Sequence, residues 1–373
     1  MLHSLFARSI SAFLSLGFLS LFFIPHPTAP PLDKPKKMAT IAYYAGNGQN
    51  LDKYKWEQVT HVIYSFCHLR VQRLAVDDAK DSITIRNLVA LKKKHKQLKV
   101  MLSLGGWGGC APCSGVFAKA EGRQEFARSV KDLMGEYGAD GIDLDWEYPG
   151  IEGYPGHAFM PEDKANFTAL VQELRQVLGK KAILSFAAGG FASFIEKSIE
   201  WDKVMPLVNY VNLMSYDLVS GYSTVTGHHT PLFSNEKQQA SGADGVQQLL
   251  KIGVPAEKII LGAAFYARSW VEVENVNRGL YQSGKFKSFV PYHRISSTFT
   301  AEEGFVFYRD SVSQAPWAYS PQRKEFATFD DYSSVKLKTQ YVMKQKLGGI
   351  MFWQLTDDRP GTGLLQAIWE AQQ

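Results

Sequence analysis

The chain of 373 residues has only three cysteines, too few for a disulfide-built scaffold or a four-thiolate zinc cluster. It also lacks a charge excess. Its 41 basic and 36 acidic residues leave +5, part of it in the N-terminal leader and one lysine run, and this is no electrostatic footprint for nucleic acid. No glycine-rich phosphate loop follows the first apolar run, since Ala45–Asn50 does not have that character. Convincing internal repeats are absent, as is low complexity beyond the leader. With 45% hydrophobic residues, 21% charged residues, 16 prolines and 31 glycines, the composition excludes collagen, wholesale disorder and a polytopic membrane protein. Aromatic residues are abundant at 13%, more than a core strictly needs and suited to stacking flat ligands.

Arg8 precedes an apolar run from Ile10 to Ile24, and a proline-rich polar stretch, Pro25 to Lys37, follows it. This is the layout of a secretory signal peptide. Residues 1–29 are read as the signal, with Ala29 a fair cleavage point, and 30–39 as a linker. The protein is therefore expected to be secreted, extracellular or periplasmic. The alternative is retention by an uncleaved N-terminal membrane anchor, disfavoured because a spanning helix usually needs about 20 apolar residues.

From residue 40 onward, strand and helix alternate. Short β-branched or apolar runs at Thr40–Tyr44, His61–Phe66, Lys99–Leu104, Gly141–Trp146, Ala182–Ala187, Tyr210–Met214, Ile259–Ala264 and Gly349–Phe352 read as buried parallel strands. Between them lie amphipathic stripes such as Phe126, Val130, Leu133, Met134 and Tyr137. Gly138, Gly179, Gly253 and Gly348 fit left-handed helix C-caps. About eight such units predict an α/β fold, a (β/α)8 TIM barrel over 40–373, with a doubly wound open sheet as the structural rival. Residues 269–326 break the rhythm and read as a small α+β insertion on the rim, between the seventh strand and the following helix.

Asp140-Gly141-Ile142-Asp143-Leu144-Asp145-Trp146-Glu147 puts acids at alternate positions of an otherwise apolar strand. With period two, Asp143, Asp145 and Glu147 share one face, and Ile142, Leu144 and Trp146 the other. Acids are poor strand formers, so propensity opposes this run unless chemistry needs it. Three carboxylates stacked inside a barrel cannot all ionise; repulsion and burial raise at least one pKa. Glu147, nearest the C-terminal mouth, is then the candidate general acid. The rival readings are a solvated acidic edge strand, opposed by the apolar flanks, and a calcium loop, opposed by the continuous strand.

The run from Asp140 to Glu147 resembles the DxxDxDxE signature of the family 18 glycoside hydrolases, the chitinases. Ser103-Leu104-Gly105-Gly106 is similar to the family's SxGG strand, Met214-Ser215-Tyr216-Asp217 to its MxYD strand end, and Phe265-Tyr266-Ala267-Arg268 to its YxR segment. Phe352-Trp353 resembles the end of its eighth strand, and Tyr308–Asp331 the end of an insertion found in one branch. These pieces occur in family order over nearly the whole chain from Thr40. The resemblance implies hydrolysis of chitin or chitooligosaccharides by a retaining, substrate-assisted mechanism, an exception to the usual carboxylate nucleophile. In that mechanism Glu147 protonates the leaving oxygen, Asp145 orients the substrate's acetamide, Asp143 and Asp140 tune Asp145 from beneath, and Tyr216 holds the acetamide carbonyl.

The resemblance further implies that Asp217 binds sugar hydroxyls and that Trp353 floors the distorted sugar. Trp107 would stack a sugar along the cleft, and Tyr43, Phe66, Met214, Tyr266 and Arg268 would line the subsite. Trp317 and Tyr319 are candidates for one wall; Trp56, Trp201, Trp270 and Trp369 are read as packing residues. Asn47 departs from the first-loop tryptophan of many relatives. No cofactor, metal or nucleic-acid partner is implied, and a monomer is expected. A non-catalytic chitinase-like lectin and an endo-β-N-acetylglucosaminidase acting on N-glycans are the alternatives.

Some motifs stand apart from this chemistry. Cys110-Ala111-Pro112-Cys113 is read as a short disulfide clipping a loop, ahead of free thiols or thioredoxin-type chemistry. Cys67 is read as core, His228-His229 as structural loop histidines, and Lys92-Lys93-Lys94 with Lys96 as a solvated helix face.

Overall fold

Each apolar run read as a buried strand forms one. The computed structural model describes residues 38–373; the expected signal peptide and nearly all of the expected linker lie outside the described residues. In chain order, β1 (Ala39–Tyr44) pairs in parallel with β2 (His61–Arg70), whose end folds back on the short β3 (Arg73–Ala75). Parallel pairing continues through β4 (Lys99–Gly105), β5 (Gly141–Asp145), β6 (Ile183–Gly189), β7 (Tyr210–Met214) and β8 (Ile259–Ala264).

A second, antiparallel sheet then interrupts the series. Its strands β9 (Tyr266–Val271), β10 (Lys285–Pro291), β11 (Val306–Arg309), β12 (Pro316–Ser320) and β13 (Glu325–Phe329) lie in the order β10-β9-β13-β12-β11. The final strand β14 (Gly349–Trp353) pairs in parallel with both β8 and β1, at Gly349↔Ile260 and Ala39↔Gly349, and closes an eight-stranded barrel. The open-sheet rival is thereby excluded.

The helices alternate with these strands. α1 (Ala79–Ala90) precedes the third barrel strand, and α2 (Cys113–Phe117) and α3 (Ala120–Tyr137) follow it. Next are α4 (Asp163–Leu178), α5 (Ala192–Lys197), α6 (Trp201–Val204) and α7 (Gly242–Lys251). The insertion carries α8 (Tyr292–Thr298), and α9 (Tyr332–Lys344) and α10 (Leu364–Ala371) flank β14. The α3 stripe buries Phe126 and Val130 against the barrel, and its left-handed C-cap is Gly138 (φ 75°), whose N–H donates to the Met134 carbonyl. Gly348 is different. The left-handed residue after α9 is Lys346, and Gly348 is needed because a Cβ there would lie 2.4 Å from the Glu257 carbonyl oxygen.

The antiparallel sheet spans 266–329, wider than the 269–326 read from composition. A single residue, Phe265, separates β8 from β9, and the pairing of β9 with β13 (Phe329↔Ala267) recruits both flanks. A buried ion pair ties this sheet down: Lys338 on α9 and Asp330 just after β13, both fully buried, lie 2.6 Å apart. Asp330 also accepts from the Ala264 N–H at the end of β8 and from Thr230, whose hydroxyl lies 3.2 Å from the Ser215 carbonyl. Burial lowers the Lys338 pKa, and Asp330 opposes that. A buried charge stripped of its partner is strongly destabilising, so this network fastens the insertion to the strand end that carries Tyr216.

Among the smaller motifs, one reading is corrected and the cysteine readings hold. Lys92 is no mere solvated cation; its ammonium donates to Asp140 (2.7 Å) and to the Gly138 carbonyl. Cys110 and Cys113 form a disulfide with Cα atoms 5.2 Å apart, at the loop after β4, and Cys67 is buried.

Candidate active site

Strand alternation places Ile142, Leu144 and Trp146 against the helices, where the Trp146 ring meets Phe117 and Phe167. Asp143 and Asp145 therefore point into the barrel, 0% and 4% exposed. Register supplies partners for the deeper acid. Ser103 on β4 and Ser185 on β6 stand level with Asp143, and both hydroxyls donate to it, at 3.1 and 2.6 Å. The Tyr43 hydroxyl (3.0 Å) and the Asn212 amide (3.0 Å) complete four donors. Burial raises the Asp143 pKa, and these donors oppose the rise.

Asp145 has no comparable support, and its Oδ1 is buried without a hydrogen-bond partner. Burial, then the charges of Glu147 and Asp143, push its pKa well above the usual carboxylate range. Glu147 lies just past the strand end. Burial lifts its pKa to about 7, opposed by Tyr148 and aided by the Asp217 charge. Asp145 and Glu147 titrate as a pair, and at neutral pH the pair keeps a proton.

Opposite this ladder, the Tyr216 hydroxyl has only the weakly accepting Met351 sulfur, at 3.7 Å, and so can donate to an incoming acceptor. Asp217 adopts a left-handed backbone (φ 54°) and is gripped by Arg268 through two bonds, Nε at 2.8 Å and Nη2 at 2.6 Å. Burial would raise the Asp217 pKa, but His229 and Arg268 hold it well below the usual range.

A cavity of 650 Å³ opens over these groups. Phe66, Trp107, Met214, Asp217, Tyr266, Arg268 and Trp353 line it together with Asp145, Glu147 and Tyr216. The Trp353 indole is stacked on one side by Phe66 (5.6 Å between centroids, 12° between planes). Gly105 and Gly106 permit the turn that projects Trp107. Both have positive φ, and a Cβ on them would meet the Asp145 carbonyl oxygen and the Phe66 ring, each at 2.2 Å.

Other residues fall elsewhere than the sequence suggested. Tyr43 is 1% exposed and sits beneath the cavity, as a donor to Asp143 rather than a lining residue. Asp140 precedes β5, at the barrel's opposite end. It accepts from Lys92 and from the Val100 N–H (2.8 Å), so it staples strand starts and does not tune Asp145. Trp317 and Tyr319 are buried in the insertion's own core with Trp270 and Phe326, because that side of β12 faces inward. The wall comes instead from Phe286 and Phe289 on β10, with Phe289 stacked on Tyr266 at 4.7 Å. Asn47 lines a separate polar hollow with Lys53, Lys80 and Asp81.

Sequence reasoning missed Tyr148, Phe191 and Tyr222 as lining residues. The signal available was their position in loops following barrel strands β5, β6 and β7. Trp107 touches Tyr154 (5.6 Å between ring centroids) and Tyr222 (5.9 Å), so aromatic rings from three different loops meet at the Glu147 side of the cavity. Among the described residues, no three His, Cys, Asp or Glu side chains converge as a metal site.

Comparison with known proteins places the chain in a family. Residues 39–358 match the model of glycosyl hydrolases family 18. The chain is 34% identical to chitinase A1 of Niallia circulans over 302 residues, covering 74% of this chain but only 43% of that protein. It is 30% identical to chitotriosidase-1 of Mus musculus over 328 residues, 81% of this chain and 68% of that one. A solved family 18 N-acetylglucosaminidase from Paenibacillus barengoltzii superposes with a TM-score of 0.81 at 33% identity, over 90% of this chain and all of that one. With the family match spanning residues 39–358, this chain belongs to glycosyl hydrolase family 18.

Proposed function

We propose that the protein is a chitinase that hydrolyses β-1,4 bonds between N-acetylglucosamine units with retention of configuration, using the substrate's own acetamide as nucleophile. The observation that carries this reading is the buried Asp145–Glu147 pair, with a proton held at the cavity and the Tyr216 hydroxyl, engaged only by the Met351 sulfur, beside it. Glu147 gives its proton to the glycosidic oxygen as the C–O bond breaks. The acetamide carbonyl oxygen bonds to the anomeric carbon from the opposite face, held by Tyr216, while Asp145 takes up the acetamide N–H and balances the positive charge. Water then attacks the anomeric carbon, losing its proton to the Glu147 carboxylate, and the acetamide is restored. Holding the neighbouring group in line supplies several kcal/mol of barrier lowering, up to about 7–11 for ideal geometry.

Proton NMR of the first products from defined chitooligosaccharides tests this: the β-anomer should appear before mutarotation, and α-anomer appearing first would overturn the mechanism. The pH profile follows from Glu147. Its proton is present below about 7 and lost above, so kcat/KM should fall as pH rises through that value. A profile flat from pH 6 to 9 would remove Glu147 as the acid.

The contact between Trp107 and Tyr222 favours a second reading, removal of single N-acetylglucosamine units from short chains. The Paenibacillus barengoltzii protein is described as an N-acetylglucosaminidase. Time-resolved product profiles separate the two: monosaccharide from the outset for this reading, mixed oligosaccharides for internal cleavage. The lectin alternative has no support from a site that retains Glu147, Asp145 and Tyr216.

A further inference from the structure

His229 lies outside the reacting groups, directly behind Asp217 in the cavity wall. It belongs to the strap joining β7 to α7 and is fully buried. Its backbone is fixed on both sides: the carbonyl accepts from the Leu218 N–H (3.0 Å) and its own N–H donates to the Thr328 hydroxyl (3.3 Å). The ring packs on Tyr266, 5.1 Å between centroids, and points Nδ1 at Asp217 Oδ1, 3.6 Å away. Neither ring nitrogen has a hydrogen-bond partner in this resting arrangement. A buried imidazole with both nitrogens unpaired is costly, so the position calls for a partner at some stage of turnover.

The groups facing the ring are Asp217, Arg268 on the far side of that carboxylate, Tyr266, and Asp330, which is paired with Lys338. Asp217 is the acceptor that Nδ1 approaches. Hydrogen bonds at active sites are commonly long before substrate binds and shorten in the complex. Asp217 also matters to the proton donor, since its negative charge helps keep Glu147 protonated.

We propose that His229 is a positioning residue for the hydrolysis: its Nδ1–H donates to Asp217 Oδ1 when sugar fills the cavity, clamping the carboxylate between a buried imidazole and Arg268 at a fixed distance from Glu147. This rests on the reading of Glu147 as the general acid. The motif His228-His229 thus divides into two roles. His228 sits 3.3 Å from Asp310 in the insertion, a structural contact, whereas His229 serves the site.

His229→Leu fills the space without a donor, and His229→Asn keeps an N–H close to where Nδ1 stands. In H229L, kcat should fall by about tenfold or more, the loss expected for a hydrogen bond to a charged group, with a smaller change in KM. Its alkaline limb should move to lower pH, because a loosened Asp217 no longer holds its charge beside Glu147. H229N should restore both. Thermal unfolding of each variant separates folding defects from this effect. A wild-type profile in H229L would overturn the proposal, as would an H229N enzyme impaired to the same degree as H229L. One readout is independent of turnover: nitrogen NMR of the His229 ring should show the proton on Nδ1 in the folded enzyme, and a proton on Nε2 overturns the clamp. Should the wild type cleave no chitooligosaccharide, the functional reading fails while the ring tautomer still decides on His229.

Discussion

Glu147→Gln should bind chitooligosaccharides as well as the wild type and turn them over about two to four orders of magnitude more slowly, the range associated with removing a general acid. The amide keeps the shape of the side chain and its contact with Tyr148, but has no proton to give to the leaving oxygen. KM should change little, because the loss is confined to the transition state. A stability signature accompanies the kinetic one. The folded pKa of Glu147, about 7, lies above its ordinary value of 4.5, so the native state holds the extra proton. Stability is therefore lost as pH rises between those values, on the order of 2 kcal/mol once solvent access at the cleft is allowed for. The Gln variant escapes that loss, and its melting temperature should exceed that of the wild type by a few degrees at pH 8 while matching it at pH 4. Wild-type turnover in this variant would remove Glu147 from the chemistry, whatever its effect on melting.

Substrates lacking the acetyl group on the sugar at the cleaved bond should be hydrolysed at least about 10⁴-fold more slowly, because a positioned neighbouring group is worth effective molarities of 10⁵ or more. No second carboxylate offers itself as a replacement nucleophile among the groups described. Asp143 has its oxygens occupied by four donors deep in the barrel, Asp217 is gripped by Arg268, and Asp145 shares its proton with Glu147. A partly deacetylated chitooligosaccharide with the glucosamine placed on either side of the scissile bond makes the comparison within one molecule. Equal cleavage at both arrangements would show that the nucleophile belongs to the protein or to water.

The barrel was legible because every strand is a short apolar run, and eight runs separated by amphipathic stripes leave few ways to close a sheet. The acid ladder was legible for a local reason, the period-two alternation from Asp143 to Glu147. What could not be read were contacts set by register and by loop geometry. The placement of Tyr43 beneath the site depends on how β1 is staggered against β5, three strands away around the barrel, and no sequence pattern encodes that distance. Asp140 belongs to the acidic signature by spacing, yet falls before the strand begins, so its side chain meets Lys92 rather than the cavity. Trp317 and Tyr319 were misplaced because an insertion of fewer than seventy residues needs a core of its own, and its largest rings supply it. The loop rings Tyr148 and Tyr222 carried no periodic signal; only the positions of three strand ends in space bring them to Trp107.

The pairing of Ala39 with Gly349 has a consequence for how the molecule comes into being. Contacts so distant along the chain form late, because the intervening loop must be ordered before they repay its entropy. The strand that seals the sheet is also the one that ends in Trp353, the indole beneath the cavity. A nascent polypeptide stalled before this strand can therefore carry the complete ladder of acids and still have no seat for a sugar, so catalytic competence arrives with the last seam.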